Sequence, residues 1–183
     1  MEKYGVSAPR TIRVDNLTPD DVASAFGKLD SKKIVVKPLI GASGISTYLI
    51  TEDEVAKTEN LNGTSVLIQS FVPSIVSDGE YSFLCFNGKF SHCVLKTAAD
   101  GEFRIQSRYG GGVGTYDPTP KEIEFAESIL KKLPYETAYA RVDVARDGEN
   151  FLLMELELIE PELFFRTVGG AEKKFVQAVL SRI

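Results

Sequence analysis

The chain has 183 residues, 43% hydrophobic and 26% charged, with a formal net charge of −5. This is the composition of a globular chain, long enough for one compact domain or two small lobes with a real core, and it excludes a disordered one. The acidic balance argues against a nucleic-acid partner, because phosphate backbones reward a basic face. The N-terminal MEKYGVSAPRTIRVDN lacks the apolar stretch of a signal peptide, and nothing later approaches a membrane-spanning run, so no membrane role is expected.

In chain order, the first clear element is a helix with Thr18 as N-cap, Pro19 at the first helical position and Asp21 in the first turn. KKIVVKPLIGASGISTYLI then reads as a strand, a Gly-containing turn and a second strand, and SVLIQSFVP, residues 65 to 73, as another strand. SIVSDG, residues 74 to 79, reads as a joint between two lobes, residues 1–73 and 74–183. YSFLCFNGKFSHCVLK is a hairpin about Asn87-Gly88, followed by a Gly-rich loop, RYGGGVGTYDP. A second helix opens on the capping box of Thr119 and Glu122, with Ile123, Ala126, Ile129, Leu130 and Leu133 in one apolar stripe. YARVDVARDGENFLLMELELIEP is a second hairpin, and a closing helix covers roughly residues 171 to 182. Antiparallel hairpins with separate helices indicate the α+β class.

The two cysteines, Cys85 and Cys93, flank the Asn87-Gly88 turn. A two-residue turn pairs Cys85 with Phe90 and places Cys93 on the other face, which disfavours a disulfide and points to a reduced, cytoplasmic protein. His92, the only histidine, reads as a packed strand residue rather than a general base. There is no Ser–His–Asp set and no Cys/His metal set.

Glu155 and Glu157 lie two apart in the apolar FLLMELELIEPELF and project from one side of a strand. An odd loop of Arg146, Asp147 and Gly148 would bring Asp143 to the same face; a two-residue turn would send it to the opposite one. Asp143, Glu155 and Glu157 together would offer hard oxygen ligands for Mg²⁺ shared with substrate phosphates. The alternative is a solvated face of salt bridges with Arg141 as partner. The GASG turn after Lys37 can present backbone N–H groups to phosphate, or be a plain turn; neither GxxxxGK[ST] nor GxGxxG occurs. Lys96, Arg104 and Arg108 beside Gly110–Gly112 fit a loop closing over anions, or a solvated surface loop.

The order of these signals resembles the ATP-grasp superfamily: Lys-Pro on a strand, a small Gly loop, Gln-x-aromatic-aliphatic-Pro, an Asp-Gly joint, a cation, Arg before a Gly run, then acids on successive strands. The likeness is to the ATP-binding part of prokaryotic glutathione synthetase and its relatives, including the cycloserine-forming cyclo-ligase, and runs from YGVSAPRT to the final helix. It implies an ATP-grasp fold, two lobes of mainly antiparallel sheet with helices and the nucleotide between the lobes. It implies an ATP- and Mg²⁺-dependent ligase (Mn²⁺ being an alternative metal) that activates a small-molecule carboxylate as an acyl phosphate for attack by an amine. A non-catalytic nucleotide-binding module and a phosphotransferase on the same fold are the alternatives.

By the same resemblance, Lys37 would hold the nucleotide near adenine and the α-phosphate, and the 41–44 loop, with Ser43 and Gly44, would close on the phosphates. Gln69, Ser70, Phe71 and Val72 would be the hinge that reads adenine, and Glu80 would reach the ribose. Lys96 and Arg104, with Arg141 as a third catalytic cation, would neutralise the transferred phosphoryl group. Asp143, Glu155 and Glu157 would hold the metal. Three departures stand out. Relatives show Glu-x-Asn where this chain has Glu155-Leu156-Glu157. Ser82 stands where glutathione synthetases carry an arginine. The family also has a preceding domain with much of the substrate pocket, so this chain is expected to be the ATP-grasp portion alone.

Overall fold

The computed structural model describes residues 4–183; the first three, part of the 1–73 lobe expected from sequence, lie outside the described residues. Two compact units are present: Pro9–Pro73, and Ser74–Ile183 together with the segment ending at Ala8. Residues before Pro9 differ from the expected division. Lys132 donates to the Gly5 carbonyl at 2.7 Å and the Leu153 N–H to that of Ser7 at 2.8 Å, which ties them to the second unit.

The smaller unit is a four-stranded antiparallel sheet of order β1-β4-β2-β3, from β1 (Thr11–Val14), β2 (Ile34–Pro38), β3 (Tyr48–Ile50) and β4 (Val66–Ser70). Helix α1 (Pro19–Leu29) starts as its sequence dictates, the Asp21 N–H donating to Thr18 while the Asp21 side chain accepts from the Thr18 N–H. Its Val22, Ala25, Phe26 and Leu29 pack with Ile34, Val36, Val66 and Ile68. Strand alternation therefore turns Lys37 and its cross-strand neighbour Leu67, with Gln69, to the face away from this core. A 3₁₀ helix over Glu52–Leu61 was not anticipated, although Thr51 and Glu54 form a capping box at its start.

A four-residue helix, α2 (Ser74–Ser77), opens the larger part of the second unit. That unit is built on a five-stranded antiparallel sheet of order β7-β6-β5-β8-β9, with β5 (Glu80–Phe86), β6 (Lys89–Thr97), β7 (Gly112–Tyr116), β8 (Tyr139–Asp147) and β9 (Asn150–Glu157). Strand β7 lies in the stretch expected to be loop. Its pairing of Gly114 with Leu95 and Val113 with Lys96 is a backbone ladder that needs no side chain. Helix α3 (Pro120–Lys131) lays Ala126, Ile129 and Leu130 on one sheet face with Phe83, Val142, Val144 and Leu153. Helix α4 (Ala171–Leu180) meets the other face at its hairpin end, where the Phe175 ring lies 5.6 Å from Phe86 and 5.7 Å from Tyr139. The remainder of that second face carries the charged residues. Among the described residues, no helix is long and apolar enough to cross a membrane.

Two irregularities decide which side chains share a face, and both correct the sequence reading. At the first hairpin Cys85 pairs with Phe90, as the Asn87-Gly88 turn requires, but Leu84 then pairs with His92, so Ser91 is an extra residue. Cys93 consequently pairs with Phe83 and joins Cys85 in one core, not on the opposite face. Both thiols are free, and burial raises both, that of Cys85 to about 12.

At the second hairpin the loop is even, not odd: Asp147 pairs with Asn150 across Gly148 and Glu149. Taken alone, this would send Asp143 away from the two glutamates. The ladder slips between Val144↔Leu153 and Asp143↔Glu155, with Met154 as the extra residue, and the slip restores the parity the loop removed.

Candidate active site

The slip at Met154 places Arg141 opposite Glu157 and Asp143 opposite Glu155. On the strands alongside, Ser82 pairs with Asp143, and Glu80 with Lys96. Seven polar side chains from four strands thus crowd one end of one sheet face. Ligand atoms of Asp143, Glu155 and Glu157 lie within 4.8 Å of one another.

The salt-bridge face kept open from sequence is solvated only in part: the Asp143 side chain is 0% exposed, whereas Glu155 is 53% exposed. That reading was right about Arg141, whose guanidinium grips Asp143 and Glu157 and stands 4.0 Å from Glu155. Both oxygens of Asp143 are engaged. Oδ1 accepts from Ser82 Oγ at 2.5 Å and Arg141 Nε at 3.1 Å. Oδ2 accepts from Arg141 Nε at 2.9 Å and is ion-paired with Arg141 Nη2 at 2.9 Å and Lys96 Nζ at 3.4 Å. Lys96 in turn bonds Glu80 at 2.6 Å.

Four carboxylates therefore share two cations, an excess of acid over base. Burial pushes the Glu80 carboxyl up to about 7, and the charges of Asp143 and Glu155 add to what Lys96 offsets. Glu157 is likewise raised by burial, against Arg141. Burial also works against the charged form of Asp143, but Lys96, Arg141 and the Ser82 hydroxyl outweigh it and hold the carboxyl below its ordinary range. Hard oxygen donors that converge on one point and outnumber the cations beside them fit a divalent cation such as Mg²⁺.

Gly79 explains how Glu80 meets Lys96. Its φ is +87°, and a Cβ there would stand 2.5 Å from the Lys96 carbonyl oxygen. Only glycine allows the strand to enter this close.

Apart from Glu80, the remaining expected residues lie elsewhere. Glu80, assigned to a ribose by resemblance, is buried against Lys96. Arg104 sits in the 98–111 loop with its fork on Glu102, at 3.0 Å and 2.6 Å, and its guanidinium stacked 3.7 Å from the Tyr109 ring centre. Glu102 also accepts the N–H groups of Phe103 and Arg104. In the smaller unit, Lys37 is half-buried and Ser43 and Gly44 both adopt positive φ, 56° and 67°. Along the expected hinge the Ser70 N–H donates to the Arg10 carbonyl and the Phe71 N–H to that of Lys33, while Gln69 donates to Thr11 at 3.0 Å. Val72 is buried.

Three contributors escaped the sequence reading. Ser82 was noted only for not being arginine, whereas its hydroxyl orients Asp143. Glu102 carried a local signal, two residues before Arg104. Met154 carried none.

Both sheets with their helices define the ATP-grasp fold, and the comparisons agree. D-cycloserine synthetase superposes over 99% of this chain and 67% of its own length, with a TM-score of 0.83 at 22% identity. The ATP-grasp ligase PsnB, solved with its minimal precursor, Mg and ADP, covers 98% of this chain and 55% of its own, with a TM-score of 0.70 at 11% identity. The model of the prokaryotic glutathione synthetase ATP-grasp domain matches residues 17–161, and the chain belongs to that family. A probable alpha-L-glutamate ligase of Photobacterium profundum is 28% identical over 162 residues, 85% of this chain and 52% of that protein. The chain spans about half the length of the curated relatives it matches.

Proposed function

We propose that this chain is the ATP-binding portion of an ATP- and Mg²⁺-dependent ligase that joins a carboxylate to an amine. The observation that carries this reading is the convergence of Asp143, Glu155 and Glu157 within 4.8 Å on a face that also holds Lys96 and Arg141. Family membership supports the nucleotide, and a relative named as a glutamate ligase supports the bond formed.

In this reading Asp143, Glu155 and Glu157 hold Mg²⁺. The ion, when bound with ATP, would draw charge from the phosphates. Lys96 and Arg141 neutralise the phosphoryl group as the substrate carboxylate takes it and ADP leaves. The same cations steady the acyl phosphate until the amine displaces phosphate. Arg104 adds a further positive charge from its loop. Lys37, the loop with Ser43 and Gly44, and the hinge from Gln69 through Ser70 and Phe71 to Val72 hold the nucleotide. Glu80 keeps Lys96 in place. No general base is required, because catalysis here is positioning and charge neutralisation. The partners are ATP, a small-molecule carboxylate and an amine, with neither nucleic acid nor membrane involved. Two reduced, buried cysteines suit the cytoplasm.

The test is thermal unfolding with ATP, with and without Mg²⁺. Saturation at about 100 times the dissociation constant stabilises by about 2.7 kcal/mol. A Mg²⁺-dependent rise is expected, and its absence in a folded sample overturns the nucleotide reading. Release of free phosphate with a panel of carboxylates and amines then separates a ligase from a phosphotransferase, which yields ADP without free phosphate.

A further inference from the structure

The polar contacts of Arg141 are those of a built-in occupant of the carboxylate cluster. Its guanidinium takes both oxygens of Asp143 and one of Glu157, with Glu155 at 4.0 Å. Arg141 Nη2 lies 2.9 Å from Asp143 Oδ2, the atom that also faces Lys96 at 3.4 Å. Ser82 holds Oδ1, and the Arg141 Nε–H is shared between both oxygens of Asp143. A guanidinium cannot leave by losing its proton, so it yields only to displacement. On its other side the Glu162 carbonyl stands 3.5 Å from Nη1 and the Phe164 ring 5.9 Å from Cζ, an oxygen and an aromatic face able to receive it.

We propose that Arg141 and a divalent cation compete for Asp143 and Glu157, so that taking up the cation displaces the guanidinium from the carboxylates and frees it to face the transferring phosphoryl group. This rests on the metal reading above and adds an order of events: Arg141 becomes available only once the metal is in place. It also gives the charge of Glu157 a purpose, since a carboxylate pairs with a guanidinium more strongly than a neutral amide does. A third carboxylate holds Arg141 while the site waits and becomes a ligand when the metal arrives. Glu155, 53% exposed and touched by Arg141 only at 4.0 Å, is the ligand free to capture the ion first.

The experiment is calorimetric titration with Mn²⁺ alone, without nucleotide, on the wild-type chain and on Arg141→Met. Competition requires the variant to bind Mn²⁺ at least tenfold more tightly, although it has lost a catalytic cation. Equal or weaker binding by a folded variant overturns the exchange and leaves the metal site standing; no uptake by either protein overturns both. A second measurement on unaltered protein covers a variant that fails to fold. Phenylglyoxal labelling at Arg141, followed by mass spectrometry, should increase severalfold when Mn²⁺ is added. Unchanged or diminished labelling in protein that has taken up Mn²⁺ contradicts the displacement.

Discussion

Asp143 stands directly opposite Glu155, although the two-residue turn joining their strands would by itself place them on opposite faces of the sheet. The single extra residue at Met154 makes the difference, and the whole candidate metal site depends on it. A strand's side chains alternate with period two, so one inserted residue exchanges the faces of everything beyond it.

Glu155→Gln is therefore expected to abolish MgATP binding while leaving the fold intact. The side chain is 53% exposed and its ion-pair partner, Arg141, stands at 4.0 Å. Unfolding stability should change by no more than about 0.5 kcal/mol. Retention of Mg²⁺-dependent nucleotide binding in this variant would remove Glu155 from the ligand set.

Asp143→Asn should behave differently, because the carboxylate is buried and satisfies Arg141, Lys96 and Ser82 together. Neutralising it leaves buried cations short of their partner, at a cost of about 3–5 kcal/mol. Urea unfolding measures this directly. A loss of binding with wild-type stability would mean that the site is less buried than its contacts state.

Gly79→Ala combines a backbone at φ +87° with a Cβ 2.5 Å from the Lys96 carbonyl oxygen. Strain and overlap together should cost about 2–5 kcal/mol. Because the strand must shift away from Lys96, Glu80 should move with it. A crystal structure of the variant showing the Glu80–Lys96 pair still at 2.6 Å would refute this account.

The lone histidine offers a pH probe. Burial lowers the His92 pKa below 6.5, aided by the charge of Lys174 and opposed by its bond to the Leu163 carbonyl at 2.8 Å. The folded form thus prefers the neutral ring. Its contribution is fully present above pH 6.5 and is lost as the pH falls through the lowered folded value. The single imidazole NMR signal should titrate below 6.5, and the urea midpoint should fall over the same range. A titration midpoint at or above 6.5 would contradict the burial argument.

Lys37→Ala should weaken nucleotide binding without unfolding the smaller unit. The side chain lies on the sheet face away from Ile34 and Val36, so its removal opens no cavity in that core. Unchanged ATP affinity would take Lys37 out of the nucleotide site.

Much of this molecule could be read locally. Thr18 and Thr119 start their helices through contacts three residues long, and Asn87-Gly88 closes its hairpin with positive φ at both positions, 50° and 73°. Such signals are legible because cause and effect sit within one turn of chain. The α+β class, the family and the residue types of the site follow from them and from the order of the motifs. What a sequence cannot display is the parity of a ladder interrupted by a bulge, because an extra residue has no side-chain signature of its own. Ser91 and Met154 therefore decided, in three dimensions only, that Cys93 joins Cys85 and that Asp143 joins Glu155. Ser82 and Lys96 reach Asp143 from two other strands, and their partnership is a product of sheet pairing between distant segments, whereas Arg141 is two residues away on the same strand. The chain's own letters determined which charges would be present; the register of β5, β6, β8 and β9 decided which of them would meet, because burial lets a carboxylate persist only where opposite charge and hydrogen-bond donors are brought to it.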